Sequence, residues 1–95
     1  MSGERKALSL RITGRVQGVG YRAWLAGQAT AAGLDGWVRN RRDGSVEALL
    51  SGPAETVDLV VAACRRGPSV ALVDRVRMTE AEPPDHPGFA QGPTL

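Results

Sequence analysis

The sequence predicts an α+β domain in which two helices cover one face of an antiparallel sheet. Three observations support this fold class: an alternating apolar segment near the start, two helix-forming segments with apolar stripes, and a strand-turn-strand segment between them. With a later extended segment they give the order βαββαβ. A chain of 95 residues can bury one core but is too short for a second lobe, so we expect a single domain over residues 1–95.

The first strand and the first helix follow from two different spacings of apolar side chains. Apolar and polar residues alternate from Leu8 to Thr13, which is typical of a strand with one buried face. Residues 22–32 are rich in helix formers, and their apolar side chains recur at three- and four-residue spacing. Gly33 stands where a C-terminal cap is expected. A glycine-rich loop therefore connects a strand to the start of a helix.

A β-hairpin is predicted between the two helices. Residues 36–41 form its first strand, and residues 45–50 form its second, with valine, alanine and leucine alternating along one side. Asp43-Gly44 lies between the two segments and is a strong signal for a tight turn. The two strands are therefore expected to be antiparallel neighbours.

The second helix is expected to open at Gly52-Pro53, with Pro53 at its first helical position. Its buried face is predicted by an apolar stripe with helical spacing, formed by Val57, Val60, Val61 and Cys64. Cys64 is therefore expected in the core rather than in a reactive site. Two arginines, a glycine and a proline at residues 65–68 are expected to end the helix.

The last part of the chain is expected to be extended and then irregular. From Val70 onward the segment reads as a fourth strand, since Val76 and Met78 alternate with arginines. The resulting order is ferredoxin-like, with the core at about residues 7–82. Residues 83–95 are rich in proline and glycine, so a loop and a weak final strand are expected there.

The loop between the first strand and the first helix has a composition suited to binding an anion. It reads Gly14-Arg-Val-Gln-Gly-Val-Gly-Tyr-Arg22. Its glycines permit positive φ and close approach of the backbone, so successive peptide N–H groups can converge on one point. The helix start adds unpaired N–H groups and a partial positive charge. Arg22 adds a planar guanidinium group, which can bind two phosphate oxygens at once. Taken alone, the loop is also compatible with an ordinary turn that carries a solvated arginine.

A second segment makes the pattern more specific, and it reads Gly36-Trp-Val-Arg-Asn-Arg-Arg-Asp-Gly-Ser-Val-Glu47. Together the two segments resemble the acylphosphatase family, whose patterns are Gly-x-Val-Gln-Gly-Val-x-Phe-Arg and Gly-x-Val-x-Asn-x-x-Asp-Gly-x-Val-Glu. Only Tyr21 departs, where one aromatic residue replaces another. The resemblance extends from about Leu8 to Val76 and includes Gly67-Pro68.

The resemblance implies an enzyme that hydrolyses the carboxyl-phosphate anhydride bond of a small acyl phosphate. It assigns two catalytic residues: Arg22 binds the phosphoryl group, and Asn40 orients the attacking water. The remaining contacts implied are backbone N–H groups of a substrate-binding loop formed by Gln17, Gly18, Val19, Gly20 and Tyr21. Gln17 could instead brace the loop through its side chain. The resemblance implies no metal ion and no cofactor.

Two other functions are compatible with parts of the pattern. Ferredoxin-like domains of similar size bind single-stranded RNA on their open sheet face, but residues 45–51 carry no aromatic side chain. Trp24 and Trp37 are accordingly expected to be packing residues. A phosphate-binding sensor without turnover would keep the loop but would not need Asn40. The sequence therefore favours the enzyme.

Charge and composition set limits on location and partners. Eleven arginines and one lysine face ten acidic residues, and a net charge of +2 is too small to indicate nucleic acid binding. The start has no apolar signal segment, and the longest apolar run is far below the ~20 residues of a membrane span. A single cysteine cannot form an internal disulfide. We expect a cytoplasmic monomer that acts on a small molecule, without a nucleic acid or membrane partner.

Overall fold

The computed structural model of the protein describes residues 3–95. Five strands form one sheet, and they are β1 (Arg5–Arg15), β2 (Asp35–Asn40), β3 (Val46–Pro53), β4 (Leu72–Glu80) and β5 (Phe89–Gln91). The two helices are α1 (Tyr21–Ala31) and α2 (Ala54–Arg66). The ferredoxin-like order of the first six elements, βαββαβ, is therefore confirmed, and a fifth strand follows them.

The start of α2 differs from the prediction by one residue. Pro53 is the last residue of β3, where it lies opposite Arg5 of β1, and its ψ of 135° is extended rather than helical. The helix therefore begins at Ala54, and the assignment of Pro53 to the first helical position is wrong. The physical reason is that β3 continues past Leu50 to pair with the start of β1.

The strand order across the sheet is β4-β1-β3-β2-β5. The pairs among β1, β2, β3 and β4 are antiparallel, as predicted, whereas β5 pairs with β2 in parallel. The difference arises because residues 81–88 carry the chain from one edge of the sheet to the other along its end. The final strand consequently runs in the same direction as β2, whose last residue is Asn40.

The core lies between the sheet and the two helices. Helix α1 packs on β2 and β5, while α2 packs on β1, β3 and β4. The apolar stripe predicted for α2 is fully buried, and so is the alternating side of β3. The core includes Leu10, Ile12, Leu25, Ala29, Val38, Val46, Ala48, Leu50, Val57, Val61, Cys64 and Val76. Met78, two residues after the buried Val76 on the edge strand β4, is 47% exposed.

The opposite face of the sheet, which we call the open face, carries no helix from the described residues 3–95. The two tryptophans differ in this respect. Trp24 is half-buried, packs against the core and stacks at an angle on Tyr21, with ring centroids 5.2 Å apart. Trp37 follows the buried Gly36 and precedes the buried Val38, so it points to the open face. Trp24 therefore fits the expectation of a packing residue within the helix layer, whereas Trp37 packs on the open face, where the guanidinium carbon of Arg39 lies 4.4 Å from its ring centroid. No helix in the described part of the chain is long and apolar enough to pass through a membrane.

Candidate active site

The loop between β1 and α1 turns its backbone toward the start of the helix. Gly18 and Gly20 have φ of 76° and 80°, a region that residues with a Cβ rarely adopt. Gly20 occupies the N-cap position, so no side chain caps α1, and its first turn carries no acidic residue. The first N–H groups of α1 are consequently left for an external acceptor, and the partial positive charge of the helix start is not offset locally.

Arg22 lies in the first turn of α1 and is half-buried. Its Nη1 donates a 3.4 Å hydrogen bond to the backbone carbonyl of Gly92, just beyond β5. None of the ion pairs found among residues 3–95 includes Arg22. The guanidinium group is thus held from one side by a neutral carbonyl, and its charge is not neutralised by a carboxylate.

Asn40 ends β2, with its side chain on the same face as the core. Its Oδ1 is buried and has no hydrogen-bond partner among residues 3–95. A buried amide oxygen without a donor costs free energy, on the order of 1–3 kcal/mol, and such positions in native proteins commonly serve a ligand or a water. Asn40 therefore offers an acceptor that the described part of the chain does not use.

These groups line one hollow of about 250 Å³. Its lining consists of Val16, Gln17, Gly18, Gly20, Tyr21, Arg22, Ala23, Asn40 and Gln91. Six of the seven predicted site residues are therefore brought together, and Val19 is not among them because its side chain packs against the core. A larger hollow of about 490 Å³ lies at the other end of the sheet, but it brings together none of the predicted residues.

Gln17 braces the loop rather than pointing a free side chain at a ligand. Its Nε2 donates to the carbonyl oxygens of Arg41 and Ser45, at 2.7 and 2.8 Å. These carbonyls flank the turn of the β2–β3 hairpin, whose shape is also fixed by Asp43, since Oδ1 of Asp43 accepts from both N–H and Oγ of Ser45. These hydrogen bonds hold the pKa of the Asp43 carboxyl below its usual value. Gln17 thus ties the loop between β1 and α1 to the hairpin that carries Asn40.

Gln17→Ala is expected to lower the free energy of unfolding by about 1–2 kcal/mol, because two carbonyls lose a shared donor. We also expect kcat/KM to fall by roughly tenfold as the loop loses its attachment to the hairpin. Urea unfolding and steady-state kinetics measure the two effects. Gln28→Ala on the exposed side of α1 is the matched control. Equal stability losses in the two variants would contradict the bracing role.

Tyr21 connects the start of α1 to the end of α2. It is 1% exposed, and its hydroxyl donates a 2.8 Å hydrogen bond to the carbonyl of Cys64. Burial raises the pKa of the Tyr21 phenol well above its ordinary value and raises the pKa of the Cys64 thiol to about 11. The buried position of Cys64 confirms the prediction from helical spacing. Phenylalanine at this position would lack the hydroxyl. The hydroxyl of Tyr21 therefore supplies a hydrogen-bond donor to the Cys64 carbonyl near the end of α2.

The free energy of unfolding should decrease as the pH rises above about 9. An unfolded chain releases the thiol proton near pH 8.5, whereas the folded protein keeps it until about pH 11, so the folded state binds more protons in this interval. Urea unfolding at pH 8 and at about pH 10.5 tests this. Cys64→Ala should show a smaller decrease. A stability that stays constant up to pH 10.5 would show that the thiol is not shielded from ionisation.

The end of the chain contributes two residues to the site that were not anticipated from the sequence. Gln91 lines it, and the carbonyl of Gly92 holds Arg22. Both belong to the segment that was expected to be a loop and a weak strand. Their positions depend on the parallel pairing of β5 with β2, which no local sequence pattern predicts. Among residues 3–95 no group of three or more histidine, cysteine, aspartate or glutamate side chains is arranged to hold a metal ion.

Comparison with known proteins agrees with this geometry. The family described as Acylphosphatase matches residues 8–91. A curated acylphosphatase from Rhodospirillum rubrum is 53% identical over 90 residues, which cover 95% of this chain and 99% of the relative. The crystal structure of an acylphosphatase from Bacillus subtilis has a TM-score of 0.86 and 33% identity, covering 94% of this chain and 99% of that one. An acylphosphatase structure from Coxiella burnetii has a TM-score of 0.88 and 26% identity, covering 97% and 100%. This chain belongs to the acylphosphatase family.

Proposed function

We propose that the protein hydrolyses a small acyl phosphate to a carboxylate and inorganic phosphate without a metal ion. This proposal rests on one observation. Among the described residues, one hollow combines the start of α1, which no side chain caps, with Arg22, which has no carboxylate partner, and with Asn40 Oδ1, which has no hydrogen-bond donor. The first two suit a phosphoryl group, and the third suits a water molecule. Family membership favours this activity over the RNA-binding module and the phosphate sensor.

The phosphoryl group would be held by two kinds of donor. Backbone N–H groups of residues 18–21 and the first turn of α1 approach it from the loop, where the helix charge is favourable. Arg22 adds charge-assisted hydrogen bonds from its planar guanidinium group. Because the carboxylate of an acyl phosphate is a good leaving group, catalysis depends mainly on positioning and on stabilising charge at the phosphoryl oxygens.

Asn40 would orient the attacking water. Its Oδ1 can accept a hydrogen bond from one O–H of the water, which directs a lone pair of the water oxygen at phosphorus. The new bond forms between the water oxygen and phosphorus, while the bond from phosphorus to the acyl oxygen breaks. The electron pair of the broken bond leaves with the carboxylate.

The proton of the water goes to a phosphoryl oxygen of the substrate in this scheme. The residues that line the hollow include no aspartate, glutamate or histidine. A guanidinium group is a donor without acceptor capacity, and the phenol of Tyr21 donates to the carbonyl of Cys64 and has a raised pKa. We therefore expect kcat to vary little between about pH 6 and 8.

Purified protein should hydrolyse acetyl phosphate and benzoyl phosphate at the same rate with and without an excess of EDTA. Inorganic phosphate should inhibit competitively, because it occupies the same donors as the substrate phosphoryl group. Both are measured by release of phosphate or benzoate under steady-state conditions. Activity that EDTA abolishes and Mg²⁺ or Zn²⁺ restores would contradict the metal-free scheme, and absence of turnover on both substrates would contradict the proposal as a whole.

We also propose that the chain acts as a single-domain monomer in the cytoplasm. All residues that line the hollow come from one chain, so a second copy is not needed to complete it. The one cysteine is a free buried thiol, which is compatible with a reducing compartment. Sedimentation equilibrium at micromolar concentration tests the oligomeric state, and a dimer mass would contradict this part of the proposal.

A further inference from the structure

The open face of the sheet carries an unusual arrangement on β1 and β4. In the register of these two antiparallel strands, Arg11 lies opposite Arg77, and Ser9 lies opposite Thr79. On β1, Ser9 and Arg11 flank the core residue Leu10. On β4, Arg77 follows the core residue Val76, and Thr79 lies two residues further along. All four side chains are therefore on the face without helices. Like charges placed directly opposite each other on neighbouring strands are destabilising. The register therefore concentrates positive charge where the fold does not require it.

The nearest carboxylates neutralise this charge only in part. Glu47 on β3 is engaged mainly by other arginines, since its Oε1 accepts from Arg39 Nε at 2.9 Å and from Arg41 Nη1 at 3.2 Å. Arg11 reaches only the more distant oxygens of Asp43, at 3.5 Å, and of Glu47, at 3.7 Å.

The two facing arginines are also short of hydrogen-bond acceptors. Arg11 Nε is buried and has no hydrogen-bond partner among residues 3–95. Arg77 takes part in none of the ion pairs found in the same part of the chain. Two guanidinium groups at this place consequently lack a strong anionic partner.

The arginines and the hydroxyls surround a shallow hollow of about 310 Å³. Its lining consists of Ser9, Leu10, Arg11, Glu47, Arg77 and Thr79. The two hydroxyls can donate to an oxyanion, and the two arginines provide charge-assisted donors. Arg39 and Arg41 already offset the carboxylate of Glu47, which would otherwise repel an anion. The hollow combines four donor side chains within a volume suited to a small ligand.

We propose that this hollow on the open face binds a phosphate group, as free phosphate or as the phosphomonoester of a small metabolite. A phosphate dianion relieves the repulsion between Arg11 and Arg77 and presents enough oxygens for both guanidinium groups and both hydroxyls. The side chain of Asn40 and the core side chains beside it face the helices, on the other side of the sheet. The proposed site is therefore separate from the candidate active site. It therefore has no direct contact with the reacting phosphoryl group.

Binding at this site would act on the edge of the sheet. β4 is an edge strand, and a ligand that bridges it to β1 stabilises the folded state by mass action. Because inorganic phosphate is the product of the proposed reaction, one ion would have two effects at different places. It would inhibit by occupying the active site, and it would stabilise the fold from the open face.

Titration of the ¹⁵N-labelled protein with inorganic phosphate, followed by amide chemical shifts, tests the proposal. We expect two saturable sets of shifts, one in residues 16–23 and one in residues 9–11 of β1 and 77–79 of β4. Arg77→Gln should weaken the second set by about tenfold or more and leave the first set and kcat unchanged. Arg66→Gln, which removes an exposed arginine of α2 on the other side of the sheet, should change neither set.

Three results would overturn the proposal. The shifts in β1 and β4 could fail to saturate while those of the loop do, they could persist in Arg77→Gln at the same phosphate concentration, or they could be reproduced by sodium chloride at equal ionic strength. Because the readout on the open face does not depend on turnover, it is independent of the proposed enzymatic activity. Glycerol phosphate in place of phosphate distinguishes the sources: tighter binding indicates a phosphomonoester, and equal or weaker binding indicates free phosphate.

Discussion

Arg22→Lys should lower kcat for acetyl phosphate by at least ~10²-fold to 10³-fold, the scale of removing a preorganised donor. Lysine keeps the positive charge but loses the planar set of five N–H donors. The guanidinium group of Arg22 donates to the carbonyl of Gly92 and still has further N–H groups for a phosphoryl group. The single ammonium group of lysine would have to donate both to the Gly92 carbonyl and to the phosphoryl group. Phosphate affinity, measured by calorimetry, should therefore fall together with turnover.

Arg66→Lys is the matched control for this change. Arg66 lies in the last turn of α2 and is exposed, so the same substitution there should leave kcat and phosphate affinity at the parental values. Thermal unfolding of both variants establishes that they are folded. If folded Arg22→Lys hydrolysed acetyl phosphate at the parental rate, Arg22 would not bind the reacting phosphoryl group.

Asn40→Ala should lower kcat by a similar factor and leave phosphate binding nearly intact. The substitution removes the amide oxygen that has no hydrogen-bond partner in the described part of the fold, while the loop, the start of α1 and Arg22 should stay in place. In the proposed mechanism only the orientation of the water is lost, so we expect phosphate affinity to change by less than about tenfold, or ~1.4 kcal/mol. Competitive inhibition by phosphate and calorimetry measure this difference between the two variants.

Asn40→Asp provides a second, opposite comparison. It keeps the size of the side chain but places a negative charge in the hollow, so phosphate affinity should fall strongly through like-charge repulsion. We therefore expect slow turnover with normal phosphate affinity in Asn40→Ala, and slow turnover with weak phosphate affinity in Asn40→Asp. Loss of phosphate binding in Asn40→Ala would mean that Asn40 contacts the anion itself.

The parts of the fold that the sequence predicts are those with a local period. Alternation over residues 8–13 and helical spacing over residues 57–64 each bury one face, and both predictions are confirmed. The hairpin at Asp43-Gly44 is likewise local, because Asp43 folds the turn through its own hydrogen bonds to Ser45. These elements needed no knowledge of what they pack against.

The features that sequence reasoning missed depend on pairings across the chain. Pro53 belongs to β3 because its partner Arg5 extends the ladder, and no residue near Pro53 signals this. Gly92 reaches Arg22 only after β5 has paired with β2. Glycine, proline and short strands carry no periodic signal, so such contacts are visible only in three dimensions.

From the place of β5 we expect the site to be completed late in folding. Arg22 and Gly92 are 70 residues apart, and the strand that brings them together is the last in the sequence. Contacts at such separation close large loops and lose chain entropy in doing so, which favours their late formation. Helix α1 and the β2–β3 hairpin can therefore form before Arg22 has its carbonyl partner. We expect recovery of turnover on refolding to report the docking of β5, and stopped-flow circular dichroism recorded beside it would show whether the rest of the fold forms earlier or at the same time.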